Sequence, residues 1–196
     1  TTANDNVAIG YQSLDACTGG NTNVAIGAQA LGANVLGDRN VAIGHEALLV
    51  ANPGSDTDTY NVAVGYQAAV KLTTGISNTA VGGLALEENT TGNGNTAVGY
   101  LAGQENTTGA TNTAVGQEAL QKNTTASSNV AIGYQALEEN TTGDANVAVG
   151  TNALDGPTTQ NNNTAVGYDA AGVAAVSGLT AVGRGALNAN TTGWNT

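Results

Sequence analysis

A pentapeptide that recurs at nearly constant spacing limits what this chain can fold into more than any other feature. The motif Asn-(Val/Thr)-Ala-(Val/Ile)-Gly begins at ten positions, and an eleventh copy begins with Leu179 in place of Asn. The spacing between neighbouring copies is 17, except for one interval of 21 and a final interval of 16. A regular internal period of this kind is the signature of a repeat architecture. The ten copies begin at Asn6, Asn23, Asn40, Asn61, Asn78, Asn95, Asn112, Asn129, Asn146 and Asn163.

Residues 129–145, NVAIGYQALEENTTGDA, form one of the fullest repeats, and we number its positions as columns 1 to 17. Column 3 is Ala in every copy, column 4 is Val or Ile, and column 9 is mostly Leu. A 17-residue unit is shorter than the paired-helix repeats, which take roughly 33 residues or more. The Gly, Asn, Thr and Val content also disfavours helix. Column 5 is always glycine: Gly10, Gly27, Gly44, Gly65, Gly82, Gly99, Gly116, Gly133, Gly150, Gly167 and Gly183.

Each repeat therefore predicts one coil of a β-solenoid. Columns 1–4 have β-branched residues and end at an obligatory Gly, which is typical of a strand closed by a turn. We interpret columns 6–9 as a second short strand and the Asn-Thr-Thr-Gly of columns 12–15 as a turn. Coils stacked in parallel register about 4.8 Å apart satisfy each other's backbone groups. The predicted fold is an all-β solenoid of about eleven coils, a single domain over residues 1–196.

Strand alternation predicts which columns point inward. Columns 2 and 4 share one side of the strand and column 3 faces the other. We expect Val or Ile at column 4 and Leu at column 9 to fill the interior, which leaves the invariant Ala of column 3 outside. An outward position that never varies indicates a closely approached surface, and another subunit is the natural candidate. Two alternatives stay open: a neighbouring turn keeps column 3 small, or the two faces are exchanged.

Composition excludes several partner classes. The 15 acidic and 4 basic residues give a net charge of −11, which repels nucleic acid and anionic membranes. The charge serves either solubility or an acidic binding face. No apolar run approaches the roughly 18–20 residues of a membrane helix, so we predict no membrane segment here. The absence of Met predicts that the chain is a fragment of a longer fibrous protein.

The pentapeptides NVAIG and NTAVG, followed by a small residue near column 8, resemble the head repeats of the YadA-like trimeric autotransporter adhesins. The longer pattern at 95–109 and 129–143 is similar to repeats of phage tail-fibre proteins, and the likeness covers nearly the whole chain. The resemblance implies a left-handed parallel β-roll and a homotrimer. It also implies an extracellular location, on a virion tail fibre or a bacterial cell surface. The adhesin repeats are shorter than the repeat of this chain, which makes the tail-fibre likeness slightly closer.

Two features are candidate binding sites. One is column 6, whose tyrosines form either an aromatic ladder that docks sugars or a host surface, or a set of partly buried caps on the turn after Gly. The other is the four-residue insertion within residues 51–60, either a recognition loop or a tolerated insertion. Its candidate residues are Tyr60, Asp56 and Asp58. The column 6 tyrosines are Tyr11, Tyr66, Tyr100, Tyr134 and Tyr168.

The sequence contains few residues that could form a catalytic site. A single histidine, His45, supports neither a His-based metal cluster nor a Ser-His-Asp set within one chain. The acid pair Glu138 and Glu139 lies in columns 10–11, on a coil edge without an evident cleft. We predict no enzyme, no cofactor, no metal and no catalytic residue. The expected function is a structural or adhesive fibre segment that contacts a host or surface receptor, such as a glycan. The alternatives are an ice-binding solenoid and a glycan depolymerase with a cleft between subunits.

Overall fold

A computed structural model describes residues 3–156, 158–172 and 177–188 of this chain. Within these residues all regular structure is β, in thirteen short strands, and no helix occurs. The strands are β1 Val7–Ile9, β2 Val24–Ile26, β3 Gly37–Asp38, β4 Val41–Ile43, β5 Thr57–Asp58, β6 Val62–Val64, β7 Thr79–Val81, β8 Thr96–Val98, β9 Thr113–Val115, β10 Val130–Ile132, β11 Val147–Val149, β12 Thr164–Val166 and β13 Thr180–Val182.

Eleven of these strands form one parallel sheet in chain order, and β3 and β5 form a separate pair. Each residue of the large sheet pairs with the same column of the next coil, as in Val130 with Val147 and Ala131 with Ala148. The interval of 21 does not disturb this register, because Val41 still pairs with Val62. The β-solenoid prediction is therefore confirmed. We number the coils from 1, beginning at Asn6, to 11, beginning at Leu179.

The core is thin and is built from Ala and Leu. Columns 3, 8 and 9 are buried, for example Ala131, Ala136 and Leu137, each 0% exposed. At Gly103, in column 9, an added Cβ would lie 3.9 Å from the Cβ of Ala97, in column 3 of the same coil. The two walls thus come within van der Waals distance across the interior, which favours a small side chain at column 3.

The predicted inward face was consequently wrong for column 4 and correct for column 9. Columns 2 and 4 point outward, with Ile43, Val98 and Ile132 each at least 37% exposed. The invariance of column 3 reflects the narrow interior and not a neighbouring subunit. The exchanged-face alternative is the one that the structure adopts.

The second predicted strand is also absent from the described residues, in which columns 6–9 form turns. Columns 7 and 9 have left-handed backbone, as in Gln135 (φ 53°) and Leu137 (φ 54°). Their N–H groups point to opposite neighbours: Gln135 donates to Gln117 O in the preceding coil (3.0 Å), and Leu137 donates to Ala153 O in the following coil (2.9 Å). A left-handed conformation costs a non-glycine residue about 1–2 kcal/mol. The hydrogen bonds to adjacent coils offset part of this cost.

Two buried rows of asparagine fix the register of the coils. In column 1, Asn112 Oδ1 accepts the N–H of Asn129 (3.0 Å), and its Nδ2 donates to Ala126 O (2.8 Å). In column 12, Asn123 Nδ2 donates to Asn106 Oδ1 of the preceding coil (2.7 Å). Because an unpaired buried amide is costly, each row strongly favours the in-register stack.

Candidate functional site

The first candidate surface is the outer side of the large sheet, made by columns 2 and 4, which we call the sheet face. Its side chains are Val or Thr in column 2 and Val or Ile in column 4. They are half-buried to exposed, and Ile132 is 40% exposed. Because the eleven strands pair in one register, the sheet face is continuous along the solenoid. Monomeric proteins rarely expose large contiguous apolar patches without an interaction that uses them.

The second candidate surface is column 6, which lies beyond the glycine column from the sheet face. Its five tyrosines are between 44% and 73% exposed, so part of each ring is accessible to a partner. From coil 4 to coil 10 a tyrosine occurs in every second coil, because Gly83, Gln117 and Thr151 occupy column 6 in the coils between. The tyrosines of this alternating series, which we call the tyrosine column, are Tyr66, Tyr100, Tyr134 and Tyr168.

Two members of column 6 pair with a planar side chain of an adjacent coil, one near each end of the solenoid. His45 and Tyr66, in successive coils, stack with centroids 5.6 Å apart and planes 13° from parallel. The guanidinium carbon of Arg184 lies 5.5 Å from the centroid of the Tyr168 ring in the coil before it. A Cβ added at Gly83 of the preceding coil would lie 3.5 Å from Cδ2 of Tyr100, so the Tyr100 ring lies beside that position. Side chains of this column can therefore pair across adjacent coils, as His45 with Tyr66 and Arg184 with Tyr168 do.

Carboxylates cluster beside the tyrosine column on coils 7 to 10. Burial, together with the neighbouring Glu139 and the nearby Glu118 and Asp155, raises the pKa of Glu138. Burial also raises the pKa of Asp155, and Asp169 and Glu139 add repulsion. Lys122 pairs with Glu139, but the cluster as a whole is negative. This edge of the solenoid is therefore an acidic surface.

The insertion forms a small polar cluster. Arg39 makes an ion pair with Asp58, and its guanidinium carbon lies 5.6 Å from the centroid of the Tyr60 ring. Tyr60 donates its hydroxyl to Asp58 Oδ2 (3.0 Å). The structure thus brings Tyr60 and Asp58 together, whereas Asp56 is exposed and takes no part in these contacts. Sequence analysis missed Arg39, which occupies the last column of the preceding coil and is adjacent to this loop only through stacking.

Features that suit small-molecule chemistry are sparse in the part of the chain that the structure describes. No group of three or more His, Cys, Asp or Glu residues there is arranged to hold a metal ion. An open depression of about 240 Å³ lies between coils 1 and 3, lined by Gln12, Asp15, Gln29 and three apolar or small residues. No helix among the described residues is long and apolar enough to cross a membrane.

These features define the chain as a parallel β-solenoid repeat protein with two long exposed surfaces. Comparisons with protein-family models, with curated proteins and with solved structures each find no match. The likeness to adhesin and tail-fibre repeats therefore stays a prediction from the pentapeptides.

Proposed function

We propose that this chain is a structural and adhesive segment of a fibre, which holds receptor contacts along a stiff shaft. The observation that carries the proposal is the unbroken register of eleven parallel strands, which repeats the same exposed side chains at each coil. Repeated identical contacts give avidity when their spacing matches that of the partner. We propose an extracellular role, on a virion tail fibre or a bacterial surface, and no enzymatic activity.

The sheet face is the proposed site of homotrimer formation. The sequence had suggested column 3 as the surface that contacts another subunit, but its alanines lie in the core and are not available to a partner. Burial of Val and Ile side chains stabilises an interface by roughly 1.5–3 kcal/mol for each one fully buried. A thin core of Ala and Leu gains comparatively little from each coil, so a shared apolar face supplies the remaining stabilisation.

Measurement of molar mass by light scattering tests the trimer. We expect the mass of three chains at micromolar concentration, and the Ile132→Lys variant should shift it toward one chain because the charge lies in the sheet face. Thr125→Lys adds the same charge on an exposed turn and should leave the trimer intact. A monomeric wild-type protein, or equal masses for both variants, contradicts the proposed interface.

Ice binding is a second candidate, favoured by the composition of the sheet face on coils 5 to 7. Here column 2 carries Thr79, Thr96 and Thr113 in successive coils, beside Val81, Val98 and Val115 in column 4. The sequence had suggested Thr rows in the turn as the ice-binding surface. The hydroxyls of column 13 in that turn instead donate to the next coil, as Thr107 Oγ1 does to Thr124 O (2.9 Å). Thermal hysteresis that Thr96→Lys abolishes, in a monomeric protein, would support ice binding in place of the fibre.

A further inference from the structure

We propose that the tyrosine column binds an extended polypeptide segment that carries arginine at every third residue. One guanidinium would lie between each successive pair of rings from Tyr66 to Tyr168. The inference rests on the proposed adhesive function, because it names the chemistry of the receptor that one surface of the fibre contacts.

Spacing is the first argument. Tyrosines in every second coil are separated by two strand spacings, about 9.6 Å, since adjacent strands lie about 4.8 Å apart. A guanidinium midway between two such rings would be about 5 Å from each centroid, inside the ~6 Å range of cation–π attraction. The coil between contributes a residue without an aromatic ring in each case, namely Gly83, Gln117 or Thr151.

The chain itself shows which group pairs with a tyrosine across one coil. Arg184 lies over Tyr168 at 5.5 Å, and Arg39 lies over Tyr60 at 5.6 Å, each pair from adjacent coils of the stack. Two independent arginines, in different columns, thus lie over one tyrosine ring at about the distance that the proposal requires from each of two rings. Arginine is favoured over lysine because its planar, weakly hydrated guanidinium stacks on aromatic faces.

Charge complementarity is the second argument. Columns 6 and 7 of coils 4 to 10 contain two carboxylates, Glu118 and Asp169, and no Lys, Arg or His. Glu118 accepts hydrogen bonds from the Gln135 and Gln117 amides, which are neutral and leave its charge uncompensated. With Glu138 and Asp155 nearby, this edge attracts a cationic chain and disfavours an anionic one.

The shape of the ligand follows from the same spacing. A polyproline II helix has three residues per turn and rises about 3.1 Å per residue, so every third side chain lies on one side about 9.3 Å apart. This repeat matches two coils of the solenoid. A sugar ring is the weaker candidate, because it stacks on ring faces that point outward, whereas a face of Tyr66 is directed at His45 of the adjacent coil.

Fluorescence anisotropy with a labelled (Arg-Pro-Pro)₄ peptide at low salt tests the proposal. We expect saturable binding that Tyr134→Leu weakens by about two- to five-fold and that Tyr100→Leu with Tyr134→Leu weakens further. Tyr60→Leu, which removes a tyrosine outside the column, should leave the affinity unchanged. Gln117→Arg should also weaken binding, since it places the chain's own guanidinium between Tyr100 and Tyr134, whereas Thr142→Arg adds the same charge on an exposed turn.

Two further peptides test whether binding depends on the spacing and identity of the arginines or on positive charge alone. A (Lys-Pro-Pro)₄ peptide and a peptide with four arginines in adjacent positions should both bind several-fold more weakly. Equal binding of all three would show nonspecific attraction and overturn the inference, as would peptide binding that the tyrosine variants do not change. Binding of a neutral oligosaccharide that depends on Tyr134, without peptide binding, would replace it with a glycan site. Each of these failures leaves the molar-mass test of the fibre unaffected.

Discussion

Coil 3 and the regular coils 5 to 9 form the same strand in the same register, although coil 3 contains more residues. In both, the pentapeptide forms a three-residue strand in one shared register. Coil 3 is longer by four residues, and these extend the turn region, where β5 pairs with β3 of coil 2. A solenoid of this kind therefore tolerates insertion in the turns and not in the columns that stack.

The two regions also differ in how their surface charges are compensated. Asp58 of the insertion has Arg39 as its partner, together with the hydroxyl of Tyr60. Glu138 of coil 8 lies among other carboxylates, and Lys122 pairs with its neighbour Glu139. The regular coils thus hold carboxylates near one another as well as a lysine–glutamate pair, whereas the one basic residue beside the insertion pairs directly with Asp58.

Glycine substitutions should reveal the largest contrast between these regions. Gly99 has φ +143°, and an added Cβ would lie 2.4 Å from Gly116 O in the next coil. We expect Gly99→Ala to lower the free energy of unfolding by about 4 kcal/mol or more, through backbone strain and overpacking. Urea unfolding followed by circular dichroism provides the measurement.

Gly54 is the matched control in the insertion. It also has positive φ (+74°), but an added Cβ there meets nothing within 4 Å. Gly54→Ala should therefore lose only about 1–2 kcal/mol, the intrinsic penalty of left-handed backbone. Similar losses at both positions would mean that the close contact between glycine columns does not limit the stack.

Asparagine substitutions should have an intermediate effect. Asn106 is 1% exposed, donates to Gly109 O (3.0 Å) and accepts from Asn123 Nδ2 (2.7 Å). Asn106→Ala should cost about 2–3 kcal/mol in the free energy of unfolding, because its buried partners lose their hydrogen bonds. Asn52→Ala, at a half-buried site in the insertion, should cost less than about 1 kcal/mol. A loss of less than about 1 kcal/mol for Asn106→Ala as well would show that water reaches the buried asparagines of column 12.

Substitutions of charged residues should change the free energy of unfolding least. The change should be stabilising at Glu138 and destabilising at Asp58. The pKa of Glu138 is raised in the folded chain, so folding favours its protonated form, and stability falls as pH rises through that pKa. Glu138→Gln should be more stable than wild type at pH 7, by less than about 1 kcal/mol, and the difference should vanish below about pH 4. Asp58→Asn breaks an exposed ion pair and should slightly destabilise the chain at pH 7. A destabilising Glu138→Gln at pH 7 would contradict the inferred repulsion.

Sequence reasoning identified the solenoid because the period and the invariant columns are local and countable. It failed for columns 6–9, where Gln135 and Leu137 adopt left-handed backbone that propensity alone does not predict for these residues. Of the candidate site, the tyrosines and the insertion were visible in the sequence. Arg39 was not, since it is distant from Asp58 along the chain and meets it only through the stacking of one coil on the next.

The repeat, the parallel stacking, the burial of Leu137 and its counterparts, and the acidic charge all follow from the order of residues in the chain. Which side of the strand faces inward became known from the folded chain, because alternation separates the two sides without saying which is inside. The choice depends on the distance between the walls of one coil, and at Ala97 the opposite wall is close enough to favour a small side chain. Val and Ile are thereby placed on the outside, where they form the sheet face.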